Sequence, residues 1–284
     1  MLRAVVLLAL LAVPAASARP SGGTPVVFAV VESANALVPL DGGRSIRVNA
    51  PSDVVATYQD FRGALLVVAS ARAGRVTFAD PRARRVLWSL GGFGSPVRVE
   101  VVGGIRAYVV DEARGEVDVV DLDLRRIVRR IPVGPRPLNV AFEPRGKMWV
   151  AHASGGARDV AVAWDGAAWL AFPDRGELLR VDPSGRRTRI RLRADRVFSD
   201  HTSLDRVFAA DGTSGRTYLL SARGRVLGRY DGCPGAADVA AVGNADVDVA
   251  CTRARAVAVY SYGGGPPELA PVGGAPTGVA VAVL

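Results

Sequence analysis

Short apolar strands recur along this chain with a fixed order and spacing, and that recurrence limits the folds open to it. The clearest copy runs from Ala107 to Val150: AYVV, a charged turn over Asp111 to Gly115, VDVVDL, RRIVRRI, a Val133-Gly134-Pro135 break, LNVAF, and a Pro144-Arg145-Gly146 turn into MWVA. No one of these strands folds alone, and four per unit bury their apolar faces only by stacking on neighbouring copies. Strands equivalent to AYVV begin at Val26, Leu65, Ala107, Met148, Ala168, Arg206 and Val247, most of them about 40 residues apart, which is the length of one propeller blade. The strands that precede them begin at Pro51, Ser95, Arg136, Ala157, Arg196, Ala236 and Pro276. Each series counts seven.

One interval breaks the rule. Met148 to Ala168 is about half the usual length, so MWVAHASGG leads directly into ARDVAVAWDG, with no room for two outer strands. The expectation is an all-β propeller of seven blades with a truncated, two-stranded fourth blade; a six-bladed ring with an elaborated hairpin is the alternative. The strand over Thr277 to Val283 has its missing partner in VVFAVVESAN, so the C-terminal strand is expected to close the ring in the blade that begins at Val26. Closure of this kind leaves few exposed strand edges.

The unit resembles the YVTN-type β-propeller repeat, which runs from a Tyr-Val strand through Val-x-Val-Ile-Asp to Val-Gly-x-x-Pro and a final Val-Ala strand ending in Pro-Asp-Gly. AYVV, VDVVDL, Val133-Gly134-Pro135 and the Pro144-Arg145-Gly146 turn carry the likeness. It implies the architecture and leaves the activity open, because propellers carry many unrelated functions. The broad class includes surface-layer-like propellers, lactone hydrolases and a streptogramin-inactivating lyase, the enzymes among them using His with acidic partners.

The first residues, MLRAVVLLALLAVPAASARP, combine Arg3, an apolar run from Ala4 to Val13, Pro14 and the small-residue site Ala16-Ser17-Ala18. That order is that of a cleaved secretory signal, over residues 1–18, and the run is too short to span a bilayer. Residues 19–284 then read as a single domain, since no linker or change of pattern divides them. Secretion, or retention in the periplasm or cell envelope, is the expected destination, with no transmembrane segment. Cys233 and Cys251 flank a hairpin, ADVAAV then DVDVA, and an exported chain with an even cysteine count is expected to join them.

The formal net charge is +9 and Lys147 is the only lysine, so the positive charge is arginine. The arginines lie in turns and outer strands, at Arg82 to Arg85, Arg125 to Arg130 and Arg186 to Arg193, with few aromatics among them. Nucleic-acid platforms interleave stacking aromatics with basic groups. The expected partner is therefore a protein or an anionic cell-envelope polymer and not a nucleic acid, and the chain is expected to be a monomer.

Innermost propeller strands start at one rim of the central channel, and the equivalent residue of each repeat is Asp53, Arg98, Asn139, Asp159, Asp200 (or Ser199, since that copy is one residue short), Asp238 and Gly278. The family consensus has glycine there. The six polar residues are candidates for a ring that binds a cation, a sugar or a peptide group, and the competing reading gives them only local turn hydrogen bonds. His152 and His201 are the only histidines and the candidates for general-base or metal-ligand work, with Asp159 or Asp200 beside them. No phosphate loop, Gly-x-Ser-x-Gly elbow or His-Glu-x-x-His is present. The reading that follows is an exported, non-catalytic binding scaffold without a cofactor. The alternative is a lactonase-like hydrolase or streptogramin-lyase-like enzyme at the channel mouth, using a divalent cation.

Overall fold

The computed structural model describes residues 23–48, 54–60, 63–144, 146–199, 206–241, 246–261 and 266–284, with backbone alone at 58–60 and 63. The secretory-signal segment and the candidates Asp53, Asp200 and His201 lie outside the described residues.

The chain lays down its strands in sequence order. The first blade takes β1 (Pro25–Val31), β2 (Ala36–Pro39) and β3 (Ile46–Arg47). The second takes β4 (Val54–Asp60), β5 (Gly63–Ser70), β6 (Arg75–Asp80) and β7 (Arg85–Gly91), and the third β8 (Pro96–Val102), β9 (Arg106–Asp111), β10 (Glu116–Asp121) and β11 (Arg126–Pro132). A hairpin of β12 (Pro137–Phe142) and β13 (Met148–His152) follows. The fourth blade is β14 (Asp159–Val162), β15 (Ala168–Phe172), β16 (Glu177–Val181) and β17 (Arg187–Ile190). The fifth is β18 (Arg196–Ser199), β19 (Arg206–Asp211), β20 (Arg216–Ser221) and β21 (Val226–Tyr230). The sixth is β22 (Ala236–Ala241), β23 (Val247–Cys251), β24 (Ala256–Tyr260) and β25 (Glu268–Pro271), after which β26 (Pro276–Val283) returns to the first sheet.

Six of the sheets have four strands, and these are the blades of a six-bladed propeller. The expectation of seven blades with a truncated fourth is corrected here. The segment assigned to that blade is the hairpin β12–β13, a two-stranded sheet without a third or fourth strand among the described residues. After β13 a single 3-10 turn over Ala153–Gly155 delivers the chain straight to β14. β12 packs against β8 on one side and β14 on the other, filling the inner perimeter between the third and fourth blades.

Position in the blade explains the residue pattern of each strand. The second strand outward from the channel is covered on both faces by adjacent blades, so β9, β15, β19 and β23 are almost continuously buried, matching RAYVVD, AWLAF, RVFAAD and VDVAC. Outermost strands have one solvated face, and β7 alternates exposed and half-buried residues along RVLWSLG. The core is therefore a series of interblade layers. Val67, Val76 and Phe78 of the second blade pack with Val99, Val109 and Val120 of the third.

The repeat's turn signals have a shared geometric cause. The backbone carbonyl of Gly115, between β9 and β10, accepts from Val133 N at 3.0 Å and Gly134 N at 3.2 Å, clasping the end of the outer strand to the inner turn. Gly74 receives Phe93 N and Gly215 receives Cys233 N in the same way. Gly115 has φ +68°, and a Cβ there would sit 2.8 Å from Gly134 O, so both conformation and space demand glycine. Buried Asp111 completes the clasp by accepting from the amides of Gly94, Ser95 and Arg114.

β26 pairs antiparallel with β1 from Pro25↔Val283 to Val31↔Pro276, and its other side meets β4 and β22 of the flanking blades. The ring is thus closed by a sheet that joins two distant parts of the chain. In the sixth blade Cys233 and Cys251 form a disulfide, as expected, linking the loop before β22 to the end of β23.

Candidate functional site

The inner strands begin with a shared irregularity. Register shifts fall between Pro96 and Arg98 in β8, Pro137 and Asn139 in β12, and Ala236 and Asp238 in β22, while β26 skips Thr277 before Gly278. A bulge of this kind re-aims the side chain that follows it. Arg98, Asn139, Asp238 and Gly278, aligned by sequence, thus share a structural position as well, whereas Asp159 opens β14 without a register shift. Gly278 is the small member because β4 runs close alongside, where an added Cβ would lie 3.3 Å from Val55 N.

Arg98, Asn139, Asp159 and Asp238 are tied to one another and to neighbouring strands. Arg98 Nη2 donates to Asp238 Oδ1 at 3.1 Å, joining the third blade to the sixth across the channel. Asp238 Oδ2 accepts from Val279 N at 3.2 Å. Asn139 Nδ2 donates to Asp159 Oδ1 and to Val160 O, while Asp159 Oδ2 accepts from Val197 N at 2.9 Å. Asp159 and Asp238 are 0% and 3% exposed. Each carboxylate therefore holds the first amides of the next inner strand. The local-turn reading anticipated hydrogen bonds to backbone amides, but these bonds run between sheets.

Two further charged groups belong to this set and were missed from sequence. Glu100 follows Arg98 by two residues on β8, and burial pushes its carboxyl up to about 7 against the opposing pull of Arg98. Arg196 on β18 donates from Nε to Ala237 O at 2.8 Å. Burial holds the Arg196 guanidinium below its ordinary value, with Asp159 opposing and Arg98 reinforcing the shift. Arg98 also suffers burial, yet the carboxylates of Asp238 and Asp159 raise it overall. The signal available in sequence was the period of two along β8, which puts Glu100 on the same strand face as Arg98. Arg196 carried no such signal.

His152 ends β13, half-buried, with Nδ1 3.2 Å from the Pro135 carbonyl oxygen, so this ring nitrogen is the donor. Its ring is thereby tied to the backbone, and Asp159 is engaged with Asn139 and Val197. Trp149, on the same strand as His152, is buried and donates Nε1 to Glu143 Oε1 at 2.7 Å, whereas Trp164 is exposed.

The carboxylates that come nearest to a cation shell among the described residues lie elsewhere, in the third blade. Ligand atoms of Asp111, Glu116 and Asp118 are all within 4.8 Å of one another. Asp111 is committed to loop amides, however, and Arg130 Nε lies 3.3 Å from Asp118 Oδ1 and 3.6 Å from Glu116 Oε1. Burial, with the nearby Glu116 charge, still pushes Asp118 up to about 6.

By sequence, no protein-family model and no curated protein matches the chain. By structure, it is similar to a functionally unknown protein from Desulfotomaculum acetoxidans, with a TM-score of 0.73 and 13% identity over 90% of this chain and 98% of that one. It is similar to apo AztD from Citrobacter koseri, with a TM-score of 0.69 and 11% identity over 92% and 98%. It is also similar to virginiamycin B lyase from Staphylococcus aureus, with a TM-score of 0.63 and 11% identity over 78% and 86%. At these identities the likeness extends to the β-propeller fold alone.

Proposed function

We propose that the chain is exported and works without catalysis, as a ring-shaped scaffold that binds an anionic polymer of the cell envelope. The observation that carries this reading is the arginine on the outer strands. Arg85 on β7, Arg126, Arg129 and Arg130 on β11, Arg187 and Arg189 on β17, and Arg229 on β21 are all exposed, on four successive blades of the perimeter. Exposed Leu87, Val128, Val226 and Leu227 lie among them. Arg187 and Arg189, two apart on β17, repeat at about 7 Å, a spacing suited to a polymer with regularly placed negative groups. Arginine binds carboxylate and phosphate through a planar fork, which favours it over lysine for this task. In this reading Arg98, Asn139, Asp159 and Asp238 hold the inner strands in register so that the perimeter is rigid. The disulfide supports export, because such bonds persist in oxidising compartments.

The test is retention of the full chain on immobilised anionic wall glycopolymer, with the salt needed for elution as the readout. Arg126→Glu with Arg129→Glu on β11 is expected to lower that salt concentration substantially while leaving the melting temperature unchanged. Equal retention of the variant sinks the proposal. Turnover of a lactone or cyclic depsipeptide that disappears in His152→Ala would instead favour the enzymatic alternative.

A further inference from the structure

The first and sixth blades meet along a second concavity, lined by residues separate from those of the channel. Its volume is about 320 Å³. Val27 and Val281 from the first blade and Val259 and Ala270 from the sixth give it apolar walls, and its polar lining consists of Asp41, Asp246, Asp248 and Glu268. Among the described residues no arginine or lysine lines it, in a chain whose formal net charge is +9. Among the described residues, Asp41 is the one of these acids with an ion-pair partner, Arg84 Nη2 at 2.5 Å.

Asp248 is the unusual member. It is 3% exposed, and its Oδ1 is fully buried with no hydrogen-bond partner. Its cross-strand neighbours in the sheet are Ala240 and Val259, neither of which offers a side-chain donor. A carboxylate in such a place is costly unless something cationic meets it. Asp246 and Glu268, by contrast, are exposed.

We propose that this interblade pocket binds a small organic cation, a short alkyl diamine carrying primary ammonium groups, with Asp248 as the buried acceptor and Asp246 and Glu268 as the outer ones. A bare metal ion fits less well, because the clustering of three ligand atoms that a coordination shell needs occurs among the described residues only at Asp111, Glu116 and Asp118. Here the lining combines Asp246, Asp248 and Glu268 with Val27, Val259, Ala270 and Val281, which matches a ligand that carries both ammonium charge and methylenes. An ammonium brings three donors, enough to satisfy Asp248 and a second carboxylate together. Burying the methylenes against Val27, Val259 and Val281 adds apolar contact.

The proposal stands apart from the outer-strand arginines and is tested separately. The full chain is titrated by calorimetry, and its melting temperature followed, with 1,4-diaminobutane, butylamine, neutral 1,4-butanediol and calcium chloride. The diamine is expected to bind saturably and raise the melting temperature, butylamine to bind more weakly, and the diol to do nothing. Asp248→Asn keeps the side-chain shape and is expected to weaken diamine binding at least tenfold. Asp246→Asn, an exposed position that leaves the core intact, is expected to weaken it less and gives the answer should Asp248→Asn not fold. No saturable response to either amine, unchanged affinity in the variants, or a response to calcium alone overturns the assignment.

Discussion

At the scale of single residues, the molecule places charge where solvent cannot reach it. Burial, reinforced by the charge of Asp246, pushes Asp248 up to about 8, and burial pushes Glu100 up to about 7. Such groups hold a proton in the folded chain that they release near pH 4 when unfolded. Between those values the folded state binds more protons than the unfolded one, so stability falls as pH rises from about 4 to about 8 and then levels. At about 1.4 kcal/mol per pKa unit, Asp248 alone contributes on the order of a few kcal/mol to that decline. Denaturant unfolding from pH 4.5 to 8.5 should show the slope, and Asp248→Asn should flatten it, most visibly between pH 7 and 8; an unchanged profile would show that Asp248 does not titrate there. The sequence located Arg98, Asn139, Asp159 and Asp238 at equivalent strand starts, because that follows from counting repeats. It did not show that Arg98 meets Asp238, since a contact between residues 140 apart across the channel depends on how the ring closes.

At the scale of strands and sheets, local pattern read well and blade count did not. Turn chemistry at Gly115 and apolar runs such as AYVV fix strands because both are local. Counting inner strands, however, says nothing about whether two strands make a blade or a hairpin inserted between blades. β12 and β13 have the same apolar pattern as the strands of complete sheets, and only their packing between β8 and β14 separates the cases. The disulfide is the covalent element most open to test. It spans 18 positions between the loop before β22 and the end of β23, in the core shared by the fifth and sixth blades. Replacing both cysteines with alanine should cost about 3 kcal/mol in the chain-entropy model. For a domain of this size that lowers the melting temperature by roughly 6–12 °C. A scanning calorimetry trace superimposable on the wild type would show that the bond constrains little.

At the scale of the whole molecule, stability depends on closing the ring. β26 gives β1 its missing neighbour and contributes Val279 and Val281 to a core shared with β23 and β24 of the sixth blade. Deleting residues 276–284 should leave β1 as an open apolar edge, with broadened unfolding and aggregation in place of one cooperative transition. A truncated chain that unfolds sharply and stays soluble would mean that the remaining sheets hold the ring without it.

The pairing of Pro25 with Val283 also sets a clock. The two residues are 283 − 25 = 258 positions apart, so at about 5–20 residues per second of synthesis β1 is made roughly 13–50 s before its partner. For that interval the oldest part of the propeller carries an unpaired strand rich in valine, and the cell must keep it from other chains until the newest part arrives.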